Sequence, residues 1–368
     1  MGFDGGVRDL EAAIADRIAS VGPIGFDDYV DQALYAPELG FYTRGGGAGR
    51  RRDFLTSPEV GPLFGAVVAR ALDTWWDELG RPDPYLVVEA GAGPGTLART
   101  VLAAAPRCLA TLRLVLVEPA EVQWATHPSD VTSRADLPLP GEMGDGPVVV
   151  LANELLDNLP FGLVELTDVG WCEVMVDVAG RTDEGDEPSR LVEVLVPLEA
   201  RRAAWCTGKA GRDAPVGARF PVQAAAAAWL DEALALAAGG RVVVIDYAST
   251  TLELARRPWT EWLRTYAAHG RCGHPLAEEG ACDITVEVAV DQLATVSAPD
   301  VDRSQAEFLR AHGLDELVAE GTATWRTEGA AGSLRAIAGR SRVHEAEALT
   351  DLAGLGAFRV LEWVGPSR

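Results

Sequence analysis

One ten-residue stretch restricts the folds open to this chain more than any other. It reads Val87-Val88-Glu89-Ala90-Gly91-Ala92-Gly93-Pro94-Gly95-Thr96. An apolar, β-branched run ends in a carboxylate, three glycines follow at alternate positions, and a helix-forming segment opens at Thr96. Glycines there let the backbone turn tightly and come close to a ligand. In open α/β sheets, ligands sit outside the carboxyl ends of the strands.

The rest of the chain repeats the strand-then-helix alternation. Apolar runs cover Tyr85–Glu89, Leu112–Glu118, Pro147–Leu151 and Arg241–Asp246, with helical segments at Thr96–Ala105 and 222–238. This predicts an α/β fold with a doubly wound, mostly parallel sheet of the Rossmann-like kind. Upstream, residues 1–80 read as a helical region: Val7–Ser20, Phe26–Leu34, and a helix from Pro58, capped by Ser57, to about Leu79. The domain proper is expected over 81–368. It carries an inserted antiparallel hairpin near 163–197, pairing Val174–Val178 with Leu191–Val196, and further additions near 250–340. A last strand is expected at Phe358–Val364.

Three nucleotide-loop readings compete for residues 89–96. A P-loop needs a lysine after the glycines, and none is present. A dinucleotide fingerprint needs a glycine where Leu97 stands. The third is an S-adenosylmethionine loop, with an acid at the strand end and glycines at Gly91, Gly93 and Gly95. The cationic amino and sulfonium groups of that cofactor suit Glu89 better than a pyrophosphate would. Glu118, ending the next apolar run, is placed to accept hydrogen bonds from ribose hydroxyls. The third run leads into Asn153-Glu154-Leu155-Leu156-Asp157-Asn158-Leu159-Pro160, at the same rim. Methyl transfer needs a nucleophile held close to the sulfonium with water excluded. Glu154 and Asp157 are the candidate catalytic carboxylates, able to orient a guanidinium. A bland alternative has Asp157 capping a turn and Asn153 bracing the loop.

With these residues in view, the chain resembles the MidA-like class I methyltransferases. That family includes the mitochondrial complex I assembly protein that methylates arginine on a respiratory-chain subunit. Asp53-Phe54-Leu55-Thr56-Ser57-Pro58-Glu59 looks like its DFxTSPE signature, and Asn153 to Pro160 like its NExxDxLP. Asp246-Tyr247, Arg264-Thr265-Tyr266, His269, Gly280, Asp283-Ile284-Thr285 and Gln305 match in order. The resemblance implies S-adenosylmethionine as cofactor and a protein arginine as methyl acceptor. It also implies a DFxTSPE segment folded over the cofactor, with Thr56, Ser57 and Glu59 lining the site. The expected cofactor set is therefore Thr56, Ser57, Glu59, Glu89, Gly91, Gly93, Gly95, Glu118 and Asn153. The sequence departs at Ala248, where the family has Gly, and at Glu287, where it has His. Two other readings stay open: a small-molecule methyltransferase, with the Arg44–Arg52 loop and the hairpin as a lid, and a non-catalytic assembly factor retaining the fold.

Charge narrows the partners. With 55 acidic and 32 basic residues, the chain carries 55 − 32 = 23 excess negative charges. That disfavours nucleic acid, which calls for a basic face, and anionic membrane surfaces. It suits a basic partner. Neither a basic-then-apolar leader nor an apolar stretch long enough to span a bilayer is present, so a cytoplasmic protein is expected. Five scattered cysteines without a CxxC read as reduced thiols, and Cys272, His274 and Cys282 fit no zinc spacing, so no metal is expected.

Overall fold

The computed structural model describes residues 3–46, 56–179, 191–267, 270–277 and 279–365. Asp53 to Leu55, His269, the tip of the Arg44–Arg52 loop and the hairpin turn 180–190 lie outside the described residues.

A seven-stranded sheet forms the centre. Its order is Val301–Ser304, Arg359–Val364, Arg241–Asp246, Val148–Asn153, Tyr85–Ala90, Leu112–Val117, Thr132–Arg134. The last five are mutually parallel, and the first two run antiparallel to their neighbours. Every residue of Tyr85–Ala90 is buried, as expected of a strand covered on both faces. One face packs Pro62–Glu78, Thr96–Ala103 and the C-terminal helices through Trp75, Leu97, Phe308, Leu314 and Leu349. The opposite face packs Ala224–Leu236 through Leu230 and Ala233. The doubly wound α/β expectation therefore holds.

Register places the chemistry. Ala90 pairs level with Val117 on one side and with Ala152 on the other, and Asn153 pairs with Ile245. Four neighbouring strands thus end at one rim, delivering Glu89, Glu118, Asn153-Glu154 and Asp246 to the same crevice.

A second, antiparallel sheet is built from Gly162–Thr167, Gly170–Val178, Leu191–Pro197, Arg219–Val222 and the short Ile24–Gly25. The expected hairpin is present in it, with Val174 opposite Leu195. The helices of 1–80 are shared between two cores. Phe3–Val21 and Phe26–Tyr35 bury Ile14, Ile18, Phe26 and Val30 against the second sheet, whereas Pro62–Glu78 belongs to the first.

Two local expectations are corrected. The helix foreseen from Pro58 to Leu79 is two helices, Ser57–Val60 and Pro62–Glu78. Gly61 is extended between them because a residue preceding proline avoids the helical region. The Glu345 carboxylate fills the break, accepting the Leu63 N–H at 2.9 Å. Ser57 is the first residue of the short helix rather than its cap, and its hydroxyl donates to Gln305 Oε1 at 2.9 Å.

The cysteines are not all reduced. Cys272 and Cys282 form a disulfide, with Cα atoms 6.7 Å apart. The strand Leu263–Ala267 pairs with Gly270–Arg271 on one side and Asp283–Val286 on the other, bringing both cysteines to its flanks. No spacing motif encodes that juxtaposition, and it removes the cysteine argument about compartment. Cys108, Cys172 and Cys206 are free and buried.

Candidate active site

The crevice at the strand ends comprises two adjoining cavities. Thr56, Pro58, Glu59, Glu89, the glycine loop 91–94, Asn153 and Glu154 line the first. Asp31, Tyr35, Glu118, Pro119, Leu155, Leu159 and Pro160 line the second. Tyr42, Gly91, Glu154 and Asn158 belong to both, so the two are continuous.

The glycine loop is held from beneath. Gly91 and Ala92 donate to Val117 O, and the Gly93 N–H donates to Glu118 Oε2 at 2.9 Å. Glu118 Oε1 accepts the Ala120 N–H at 2.9 Å. His127 Nε2 lies 2.8 Å from Gly93 O and its Nδ1 2.8 Å from Ser133 Oγ. Gly93 has φ of +50°, and a Cβ built on it would enter open space inside the crevice. Such clearance beside a half-buried glycine on the cavity wall leaves room for a closely approaching ligand.

Carboxylates dominate the walls. Asp157 is 2% exposed and Asp246 and Asp283 are each 1% exposed. Asp246 is a brace: its oxygens accept the N–H groups of Leu156 at 3.0 Å, Asp157 at 3.2 Å and Tyr247 at 2.9 Å. Asp283 accepts the Tyr42 hydroxyl at 2.9 Å and Asn158 Nδ2 at 3.0 Å. The Tyr42 ring stacks on Tyr35, whose hydroxyl donates to Asn158 O. Asp157 receives the Tyr247 hydroxyl, which also bonds Thr285. Glu154 sits at φ +52° and accepts the Ser57 N–H at 2.9 Å and Asn153 Nδ2 at 3.2 Å.

Burial pushes these acids up. Desolvation raises Glu89 to about 8, opposed by Arg99 and the Ala98 N–H. It raises Glu154 to about 8, opposed by the Ser57 N–H and reinforced by Asp157. Asp283 is raised to about 8, again chiefly by desolvation and then by Asp157. Asp157 rises to about 6, restrained by the Tyr247 and Thr285 hydroxyls. Asp246 is driven up by burial and by Asp157 and Glu154. Buried acids normally have a cationic partner. The nearby Arg264, 5.8 Å over the Tyr247 ring, pairs with Glu287 instead. Among the described residues, two buried atoms in the loop after the third strand, Asn153 Oδ1 and Asp157 Oδ1, have no hydrogen-bond partner. The site is thus built to receive donors and positive charge.

Of the sequence-predicted residues, Thr56, Glu59, Glu89, Gly91, Gly93, Asn153 and Glu154 line the first cavity, and Glu118 lines the second. Gly95 sits behind the loop as the left-handed cap of Thr96–Ala103. Ser57 is fully buried against Gln305 and Glu154 and lines neither cavity. Asp157 lies beneath the rim. Sequence reasoning gave no role to Tyr35, Tyr42, Asn158, Asp246, Tyr247 or Asp283. Asp246 was findable, since it ends an apolar run as Glu89 and Glu118 do. The tyrosines come from a distant helix and turn, and carry no local signal.

A family model described as "Putative S-adenosyl-L-methionine-dependent methyltransferase" matches residues 67–305. The chain belongs to this methyltransferase family. Its structure is similar to that of a Burkholderia thailandensis protein crystallised with S-adenosyl-homocysteine, at 28% identity and TM-score 0.79, covering 98% of this chain and 94% of that one. Among curated relatives, the Drosophila melanogaster protein named "Protein arginine methyltransferase NDUFAF7 homolog, mitochondrial" is 32% identical over 213 residues, 50% of this chain and 48% of that protein. The chain thus matches about half the length of that relative. The Bos taurus protein arginine methyltransferase NDUFAF7 is 26% identical over 336 residues, 81% of this chain and 72% of that protein.

S-adenosylmethionine is the cofactor of this methyltransferase family, and the crevice fits it. The open space at Gly93, the unpartnered Asn153 Oδ1 and the acidic walls match an extended ligand with an amino group and a sulfonium. The glycine loop, Glu89 and Asn153 would hold its amino-acid end and Glu118 its ribose. Among the described residues, no helix is long and apolar enough to cross a membrane.

Proposed function

We propose that this methyltransferase acts on an arginine side chain of a protein. One observation carries the reading: Asp157 is almost wholly buried beneath the rim, next to Asn158, which lines both cavities, and its Oδ1 has no hydrogen-bond partner among the described residues. Leaving a carboxylate oxygen unsatisfied is costly unless a ligand donor completes it. A guanidinium supplies charge and a planar fork of N–H donors, so it suits a carboxylate better than a neutral nucleophile does. The names of the curated relatives point to the same acceptor.

The cofactor supplies an electrophilic methyl group. The remaining work falls to the chain. Asp157 orients the acceptor through Oδ1 while Tyr247 and Thr285 hold its carboxylate. Asp246 fixes the backbone that carries Asp157. A protonated guanidinium is a poor nucleophile, so a proton has to leave it during transfer. Asp157, raised to about 6, is able to accept that proton near neutral pH.

The test uses methyl-labelled donor with purified enzyme and a lysate from cells lacking it, followed by mass spectrometry of digested protein. Methylarginine in a protein is expected. Asp157→Asn is expected to lower transfer by about a hundredfold while calorimetric S-adenosyl-homocysteine affinity stays near wild type. Label found only in small metabolites, or undiminished transfer by Asp157→Asn, would overturn the proposal.

A further inference from the structure

Glu154 stands in an unusual position for a residue meant only to present charge. It is a non-glycine residue at φ +52°, a left-handed conformation that L side chains rarely adopt. Its backbone N–H is tied to Ile245 O at 2.8 Å, so the strand ends dictate that conformation. Its carboxylate reaches ninety-seven positions back along the chain to the Ser57 N–H, the first amide of a one-turn helix. Asn153 Nδ2 donates to the same oxygen, Oε1, leaving Oε2 without a hydrogen bond among the described residues.

On either side of Ser57 stand Thr56, Pro58 and Glu59, which wall the first cavity. The outer side of this segment is fixed by Gln305, whose Oε1 accepts the Ser57 hydroxyl and whose Nε2 donates to Leu349 O at 3.1 Å. On the crevice side, the bond to Glu154 joins the segment directly to the strand ends. Breaking it would remove the direct tie between the wall and the rim.

We propose that Glu154 is a positioning residue: its Oε1 clamps the Thr56–Glu59 wall onto the rim that carries Asn153 and Asp157. The inference rests on the cofactor site being where the crevice places it. It assigns Glu154 to retention of the cofactor rather than to orientation of the acceptor. A hydrogen-bond acceptor is what the clamp requires, and a charge is not.

Calorimetry with S-adenosylmethionine and with S-adenosyl-homocysteine separates the two roles, because only the former carries the sulfonium charge. Glu154→Gln keeps an acceptor for Ser57 and is expected to bind both ligands within about twofold of wild type. Glu154→Gly removes the clamp while relieving the backbone strain, and is expected to weaken both ligands equally, by about tenfold, as loss of one buried hydrogen bond does. Ser57→Pro removes this donor together with the hydroxyl bonded to Gln305 and is expected to weaken both ligands at least as much, with no further loss when combined with Glu154→Gly. Unchanged binding by both Glu154→Gly and Ser57→Pro would overturn the proposal. So would a Glu154→Gln that weakens S-adenosylmethionine but spares S-adenosyl-homocysteine. Absence of binding by the wild-type protein would instead count against the cofactor site itself.

Discussion

At the scale of single residues, the site stores energy in groups that the ligand-free fold would be steadier without. Glu89 illustrates this. It is 6% exposed, raised to about 8 by desolvation, and only partly relieved by Arg99 and the Ala98 N–H. An ordinary glutamate titrates near 4.3. Because the folded value lies above the unfolded one, folding is favoured below the unfolded value. That advantage is lost as pH rises towards 8. Glu89→Gln removes the penalty and keeps an acceptor for the Ala98 N–H. The ligand-free variant should therefore melt a few degrees above wild type at pH 8.5 and show little difference at pH 5. Its S-adenosylmethionine affinity should fall, because the ligand's amino group loses its countercharge. Melting-temperature differences that are the same at both pH values would refute the desolvation account. The strained Glu154 and the orphaned Asp157 Oδ1 follow the same pattern, in which local cost marks a functional position.

At the scale of elements, what the sequence exposed and what it hid have separate physical causes. The strand–loop–helix unit from Tyr85 to Ala103 was legible because all its signals are local: a fully buried apolar run, glycines at fixed spacing, a helix start. Glu89, Glu118 and the Asn153–Pro160 loop were legible for the same reason, each following an apolar run. The break at Gly61 was not, because Pro58 and Pro62 both suit a first helical turn, and a carboxylate 282 positions away decides between them. The antiparallel second sheet was seen only as the hairpin of Gly170–Val178 with Leu191–Pro197; Ile24–Gly25 and Arg219–Val222 pair across long separations, whereas Gly162–Thr167 joins Gly170–Val178 through a two-residue turn. Tyr42 and Asp283, bonded at 2.9 Å, are 241 positions apart. The glycine loop carries this scale's prediction. At Gly93, a valine would adopt a left-handed conformation unsuited to a β-branched residue and project into the ligand's space. Gly93→Val should abolish S-adenosyl-homocysteine binding in calorimetry, while thermal unfolding stays cooperative and moves by only a few degrees. Retained binding would show that the ligand does not pass over this loop.

At the scale of the molecule, the 23 excess negative charges divide into two populations with different physics. Most are exposed, and their attraction for a cationic substrate is screened within about 10 Å at 0.1 M salt. The crevice acids are buried, and Glu89 and Asp283, each raised to about 8, are mainly protonated at neutral pH. A cation entering among them stabilises the ionised form and lowers those values. Binding must then expel protons, and affinity must rise with pH through the window from about 6 to 8, flattening above it. Surface charge makes no such demand, because exposed carboxylates are already ionised throughout that range. Calorimetry of S-adenosylmethionine binding at pH 7 in two buffers of different ionisation enthalpy reads the protons directly. The apparent enthalpy should differ between buffers by an amount that shrinks as the pH is raised past 8. The difference should persist at about 0.5 M salt, where surface attraction is largely screened. A binding enthalpy that ignores the buffer would mean that the acids enter the complex already charged, and that the cationic character of the crevice's ligand does not rest on them.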